Sequence, residues 1–270
     1  MDGKGSTETG GNNTVLLQGR HVGKVFGHGK DRQAALDDVD IKVCAGECVA
    51  LIGGSGSGKS TLTRILLGLD KPSSGSVSFE GESVDGRKSV GYQGLRRESS
   101  LVFQSPFTSL DPRWTVVKSV AEPLDIQRKR AKTGNSDIAR KVRESLSLVG
   151  LDPDEFLNHY PADLSGGQAQ RVAIARALVT DPKLIVADEP MSAIDVAARL
   201  QILEAFAAIR KSRPETAIIM ISHDLGVVQH IADRIVVLHD GKVVESGTTD
   251  EVLSRPKSAY TRELVAAASL

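Results

Sequence analysis

From about Val15 to Val43 the chain alternates short apolar runs with glycine and charged residues, which predicts antiparallel strands. Cys48 to Ile52 then forms an unbroken apolar run between Gly46 and Gly53, as expected of a strand covered on both faces. Ser60 to Leu69 has helical spacing and stops at Lys71-Pro72. Gly75 to Phe79 and Leu101 to Phe103 read as further short strands. Between about Ser105 and Ala162 the period becomes helical. One helix is expected over Val116 to Lys129 and a second over Ile138 to Val149, where Ile138, Val142, Leu146 and Val149 share a face. Thr133-Gly-Asn-Ser136 separates the two and is expected to cap the second. Beyond Gln168 comes a helix from Ala169 to about Val179, then a buried strand at Leu184 to Ala187. Ile194 to Ile209 reads as an amphipathic helix with Val196, Leu200, Leu203, Phe206 and Ile209 on one side. Ala217 to Ile221 is a buried strand, and Ile235 to Leu238 with Val243 to Glu245 make a hairpin around Asp240-Gly241. Strands alternating with helices predict an α/β fold with a mostly parallel, covered sheet and a helical insert.

Composition narrows the picture only slightly. The 270 residues suffice for one large α/β domain, and 40% hydrophobic with 25% charged residues is ordinary for a globular chain. Lys plus Arg balance Asp plus Glu at 34 each, which argues against nucleic-acid binding driven by overall basicity. The longest apolar run, about Ala217 to Ile221, falls far short of the roughly 18 residues that span a bilayer. Any link to a membrane is therefore expected to pass through a partner. Residues 1–13, rich in Gly, Ser, Thr and Asn, do not form a secretory signal and read as a disordered tail ahead of a domain over 14–270. Cys44 and Cys48 flank a turn into a buried strand, so they read as small hydrophobes rather than ligands, in a chain kept reduced in the cytosol.

The chemistry lies in a few segments. Gly53-Gly54-Ser55-Gly56-Ser57-Gly58-Lys59-Ser60 fits the phosphate loop G-x-x-x-x-G-K-[ST], between a strand and a helix as that motif requires. Its backbone N–H groups can wrap phosphates, Lys59 can reach the β- and γ-phosphates, Ser60 can ligate Mg²⁺, and Thr61 follows within the same set. Asp188 and Glu189 end an apolar strand. Asp188 suits the Mg²⁺ shell, and Glu189 can polarise the attacking water. His223 follows another strand, at the edge where a doubly wound sheet binds its ligand, and reads as a γ-phosphate contact. Gln104, just past Leu101 to Phe103, can touch Mg²⁺ or that water. Phe26 either stacks on adenine or packs in the core. Ser165-Gly166-Gly167-Gln168 precedes the helix from Ala169 and forms a second anion-favouring surface. Two phosphate elements in a chain of one-domain size suggest two chains closing over shared nucleotides.

In order and spacing, Gly53–Ser60, Gln104, Leu164-Ser-Gly-Gly-Gln168, Asp188-Glu189, Asp195 and His223 resemble the ATP-binding cassette ATPases over about Val15 to Ala267. The resemblance implies a P-loop NTPase, RecA-like α/β core with an antiparallel β subdomain and a family-specific helical subdomain at about 105–165. It implies an ATPase subunit of a transporter that dimerises head to tail, with Ser165–Gln168 of one chain closing on the phosphate loop of the other. By the same resemblance Gln104 is a lever toward the membrane subunit, Asp195 crosses the dimer interface and His223 senses the γ-phosphate. Val102-Phe-Gln104-Ser-Pro-Phe-Thr-Ser-Leu110-Asp-Pro-Arg113 and the tail Ala259-Tyr260-Thr261-Arg262-Glu263-Leu264 are similar to the peptide/nickel importer branch. That branch implies ATP and Mg²⁺ as cofactors and a second ATPase subunit, a non-identical relative or a second copy. It also implies two transmembrane permease subunits, an extracytoplasmic binding protein reached indirectly, no nucleic acid, and a peripheral location on the cytoplasmic face of the cell membrane. Met191, Ile194 and Ala169 depart from the family's usual Thr, Leu and Arg or Lys. Two rivals are a soluble ATPase of the same fold acting on nucleic acid or macromolecular assembly, and a non-catalytic regulatory cassette, against which the intact Lys59, Glu189 and His223 speak.

Overall fold

Two sheets organise the computed structural model, which describes residues 14–27, 32–131, 137–192 and 194–268. The tail expected over residues 1–13 and the cap expected at Thr133–Ser136 lie outside them. The first sheet is antiparallel. β1 (Val15–Phe26) pairs with β2 (Gln33–Cys44) and, on its other edge, with β4 (Ser74–Phe79). The two-residue β5 (Glu82–Ser83) completes it. Between β2 and β4 the chain crosses to the second sheet through β3 (Cys48–Ile52) and α1 (Lys59–Leu66). α2 (Val90–Glu98), capped by the Ser89 hydroxyl, then leads to β6 (Ser99–Val102).

The helical segment follows β6 as α3 (Pro106–Ser109), α4 (Val116–Ala131), α5 (Ile138–Leu148) and α6 (Pro153–Phe156). The N-cap of α5 is Asp137, and its side chain makes no capping bond. After a 3-10 turn at Pro161–Asp163 come α7 (Gly166–Leu178), β7 (Leu184–Asp188), α8 (Val196–Ser212), β8 (Ala217–Ile221) and α9 (Leu225–Ile231). The chain continues through β9 (Arg234–His239), β10 (Lys242–Thr248), α10 (Thr249–Ser254) and α11 (Ala259–Ala268). The second sheet runs β10-β9-β3-β8-β7-β6, parallel throughout except for the β9–β10 hairpin. Asp240 and Gly241 both take positive φ, 46° and 76°, as the tight turn of that hairpin demands.

Strand alternation divides the core. On β8, Ala217, Ile219 and Ile221 pack toward α1 and the antiparallel sheet, while Ile218 and Met220 pack toward α7 and α8. The unbroken apolar runs arise because the parallel sheet is covered on both faces. Two expectations fail. Helix α7 begins at Gly166 rather than Ala169, because Ser165 caps it. On α8, Val196 is 83% and Leu200 58% exposed, and the buried residues are Ile202, Ala205, Phe206 and Ile209. Alanines at 198 and 205 carry the packed stripe, so a reading guided by large apolar side chains selects the wrong edge of the first turns.

Candidate active site

β3 delivers the chain into the phosphate loop, and Gly58 turns it into α1 with φ 105°, a conformation that favours glycine. No side chain caps α1, so its first-turn N–H groups can serve an anion. Lys59 is buried, and its ammonium donates to the carbonyls of Gly53 and Gly54, both at 2.8 Å, and to Ser57 Oγ at 3.4 Å. Burial draws its pKa below the lysine range, while the charges of Glu189 and Asp188 pull it back up. A cleft of about 430 Å³ lies over the loop, lined by Gly53, Gly54, Ser55, Gly56, Lys59, Ser60, Asp188, Glu189, His223 and Leu264, among others. Ser57 is buried behind the loop and Thr61 is half-buried in the first turn of α1.

The two carboxylates enter from the end of β7. Burial raises the pKa of Asp188, the neighbouring Glu189 charge adds to the rise, and Lys59 opposes it. Glu189 adopts φ 44°, a left-handed conformation that costs a non-glycine residue of order 1 kcal/mol or more. Its N–H donates to the Ile221 carbonyl at 3.0 Å, so the bend is tied to the end of β8. The carboxylate is held at both oxygens. Gln104 Nε2 donates to Oε2 at 3.2 Å, and His223 Nδ1 lies 3.3 Å from Oε1. Gln104 also donates to Ser192 Oγ at 3.1 Å. Ends of three parallel strands thus converge on one carboxylate.

Ser165–Gln168 is a capping box. Ser165 Oγ accepts from the Gln168 N–H at 3.3 Å, and Gln168 Oε1 accepts from the Ser165 N–H at 2.8 Å. Gly167 is a packing glycine, since an added Cβ would come 2.5 Å from Ala198 Cβ on α8. None of these four residues lines the cleft over the phosphate loop. Asp195 caps its own helix, accepting from the Ala198 N–H at 3.0 Å. Phe26 is 46% exposed at the end of β1, with the Lys24 ammonium 5.1 Å from its ring centre, which rules out core packing. Ala169, Met191 and Ile194 are buried in the helical core, so these departures are accommodated by packing.

Three site-shaping residues escaped the sequence reading. Gln170, fully buried on α7, donates to the Phe103 carbonyl at 3.2 Å. Arg199 donates to the Ile194 carbonyl at 2.9 Å and pairs with Asp224 at 3.2 Å, bracing the loop that carries His223. Ser192 shares the Gln104 amide. A polar residue on a helix carries no signal in hydropathy that its bond partner lies on another element. Among the described residues no group of three or more His, Cys, Asp and Glu side chains could hold a metal. The donor set of Ser60 and Asp188 therefore suits a cation that takes its other ligands from a phosphate and water, as Mg²⁺ commonly does.

The family model described as "ABC transporter" matches residues 36–192. The chain is 41% identical over 243 residues to the oligopeptide transport ATP-binding protein OppF of Lactococcus lactis, covering 90% of this chain and 74% of that protein. It is 40% identical over 241 residues to the di/tripeptide transport ATP-binding protein DppF of Pseudomonas aeruginosa, covering 89% and 72%. Among solved structures, it resembles the dimeric post-hydrolysis state of the ATP-binding cassette MJ0796 bound to ADP and Pi. That match has 32% identity and TM-score 0.75, and covers 87% of this chain and 99% of the other. CbiO1 of Clostridium perfringens, part of the transporter complex cbiONQ, matches with 29% identity and TM-score 0.78 over 90% and 92%.

Proposed function

Because this chain belongs to the ABC transporter family of ATP-binding subunits, we propose that it hydrolyses ATP in the cleft over Gly53–Ser60 to drive a peptide importer. The observation that carries the reading is the Glu189 carboxylate, fixed at one oxygen by Gln104 and at the other by His223 beside a complete phosphate loop. The loop N–H groups and Lys59 bind the β- and γ-phosphates. Ser60 and Asp188 would hold Mg²⁺, which when bound neutralises phosphate charge. Glu189 orients the attacking water and accepts its proton, with Gln104 and His223 keeping the carboxylate aimed. His223 also contacts the γ-phosphate, and Phe26 stacks on the adenine.

Ser165, Gly166, Gly167 and Gln168 serve the nucleotide of a partner ATPase subunit, since they do not line this chain's own cleft. That partner is a non-identical relative or a second copy. The pair works with two permease subunits on the cytoplasmic face of the membrane, and through them with an extracytoplasmic binding protein. Attachment runs through those subunits; no described helix is long and apolar enough to cross a membrane. Among a peptide, nickel and a metal chelate as cargo, the relatives' names favour peptide. In Glu189→Gln, nucleotide binding should persist while turnover with the partner present falls at least about a hundredfold. With ATP the variant should accumulate as a two-subunit species in gel filtration. Normal hydrolysis, or no such species with either itself or a companion ATPase, would refute the reading.

A further inference from the structure

The phosphate loop is also held from behind. The Gly53–Gly54 peptide unit is gripped at both ends. Its carbonyl accepts from Lys59 Nζ at 2.8 Å, and its N–H donates to the Tyr260 hydroxyl at 2.7 Å. Tyr260 stands in the first turn of α11, whose approach is pinned where the N–H groups of Lys257 and Ser258 donate to the Glu245 carboxylate at 2.8 and 2.9 Å. The Tyr260 ring stacks on His239, with centres 3.8 Å apart and planes at 19°. Two residues past His239, the Gly241 N–H donates to the Ser57 carbonyl at 3.0 Å. One turn beyond Tyr260, Leu264 lines the cleft itself.

Gly54 fits this contact. A Cβ there would meet only the Tyr260 hydroxyl, at 2.9 Å. The backbone of Gly54 is outside the left-handed region, so alanine is opposed by the phenol and not by φ.

We propose that Tyr260 is a positioning residue for the phosphate loop. Its hydroxyl sets the orientation of the Gly53–Gly54 peptide and, through that peptide's carbonyl, the seat of the Lys59 ammonium. Helix α11 thereby preorganises the loop for nucleotide. The inference rests on the cleft being the ATP site. Without the anchor the peptide can rotate, and only the fraction of loops in the bound-like orientation takes up nucleotide, which weakens apparent affinity in proportion.

The test is titration of the full chain with a fluorescent ATP analogue, in the wild type, Tyr260→Phe, Gly54→Ala and the double variant. Phenylalanine keeps the ring on His239 and removes one hydrogen bond, so affinity should fall about three- to tenfold. In the partnered ATPase, KM for ATP should rise by the same factor while kcat changes less than about twofold. Gly54→Ala should weaken binding by a smaller factor in Tyr260→Phe than in the wild type, because the clashing oxygen is gone. An unchanged KM in Tyr260→Phe with only a lowered melting temperature would make Tyr260 a packing residue and overturn the proposal. So would penalties for the two substitutions that multiply. Failure of the wild type to bind the analogue would overturn the nucleotide reading, and this inference with it.

Discussion

Gly167→Ala tests how α7, and with it the Ser165–Gln168 capping box, is seated. The new Cβ would lie 2.5 Å from Ala198 Cβ, whereas carbons in contact rest at about 3.5–4.0 Å. The helices must therefore part by about 1 Å or more. Little can yield locally. Gly167 is buried, its other neighbour across the contact is the buried Ile194, and the opposing atom is fixed to a helix backbone. Overpacking of this kind costs about 1–3 kcal/mol, and the short distance argues for the upper half of that range. Alanine's better helix propensity returns about 1 kcal/mol. The net loss is then about 1–2 kcal/mol, which for a chain of this size lowers the melting temperature by about 2–8 °C.

The control is the same substitution in an Ala198→Gly background. That change costs something on its own, but it removes the opposing methyl group, so Gly167→Ala should then be neutral or stabilising. Thermal melts of the four proteins, followed by circular dichroism without nucleotide, form the cycle. Two outcomes refute the reasoning: a single variant that melts within about 1 °C of the wild type, or an equal penalty in both backgrounds.

Two further predictions concern charge and capping. The folded-state pKa of Asp188 is raised by burial and by Glu189, so its contribution to stability is present at low pH and lost as pH rises through that pKa. Asp188→Asn should therefore melt above the wild type near about pH 7.5, with the gap closing toward about pH 4. A gap that does not depend on pH would refute this. Ser165→Ala should remove one half of the capping box, costing about 1 kcal/mol, or about 2–4 °C in melting temperature. If Ser165 also serves a partner's nucleotide, the ATPase rate of the assembled pair should fall far more than that loss of stability explains. A proportionate fall would leave Ser165 as a cap alone.

What the sequence disclosed, and what it hid, follows from how each feature is encoded. The parallel strands were legible because burial on both faces writes a continuous apolar run, as in Cys48–Ile52 and Ala217–Ile221. The phosphate loop was legible because its chemistry needs fixed residue types at fixed spacing. Helix α8 was misread at its start because Val196 and Leu200 are large and apolar yet exposed, while the packed stripe runs through Ala198 and Ala205. Helix α7 starts three residues before its apolar run because Ser165 with Gln168 closes a cap there, and Gly167 makes room for α8; neither contact is written in the hydropathy of the segment. The bend at Glu189 had no signal at all. Its left-handed φ is imposed by the tie to Ile221, a partner from a different strand.

The segment around Gln104 joins Glu189 to α7. The Gln104 side chain holds the Glu189 carboxylate, and the carbonyl of the preceding residue, Phe103, accepts from Gln170 on α7. Arg176, one and a half turns further along α7, donates to the Ser109 carbonyl at 2.6 Å. The loop that leaves β6 is thus tied at one point to Glu189 and at two points to α7, the helix that Ser165 caps. A hydrogen bond to a charged group, as at Glu189 and Arg176, is worth about 1.5–3 kcal/mol and the neutral Gln170 bond about 1 kcal/mol; the Gln104 bond is exposed and falls at the low end, so these ties are comparable in strength. A displacement of Phe103–Ser109 cannot relax by breaking one tie cheaply. It must move the carboxylate, α7, or both. Phe103 and Phe107 are 47% and 48% exposed on this same loop, so the tied segment presents an apolar surface. A push on that surface would reach Glu189 and Ser165 together through local ties, as the proposed lever role of Gln104 requires, without any long-range path through the core.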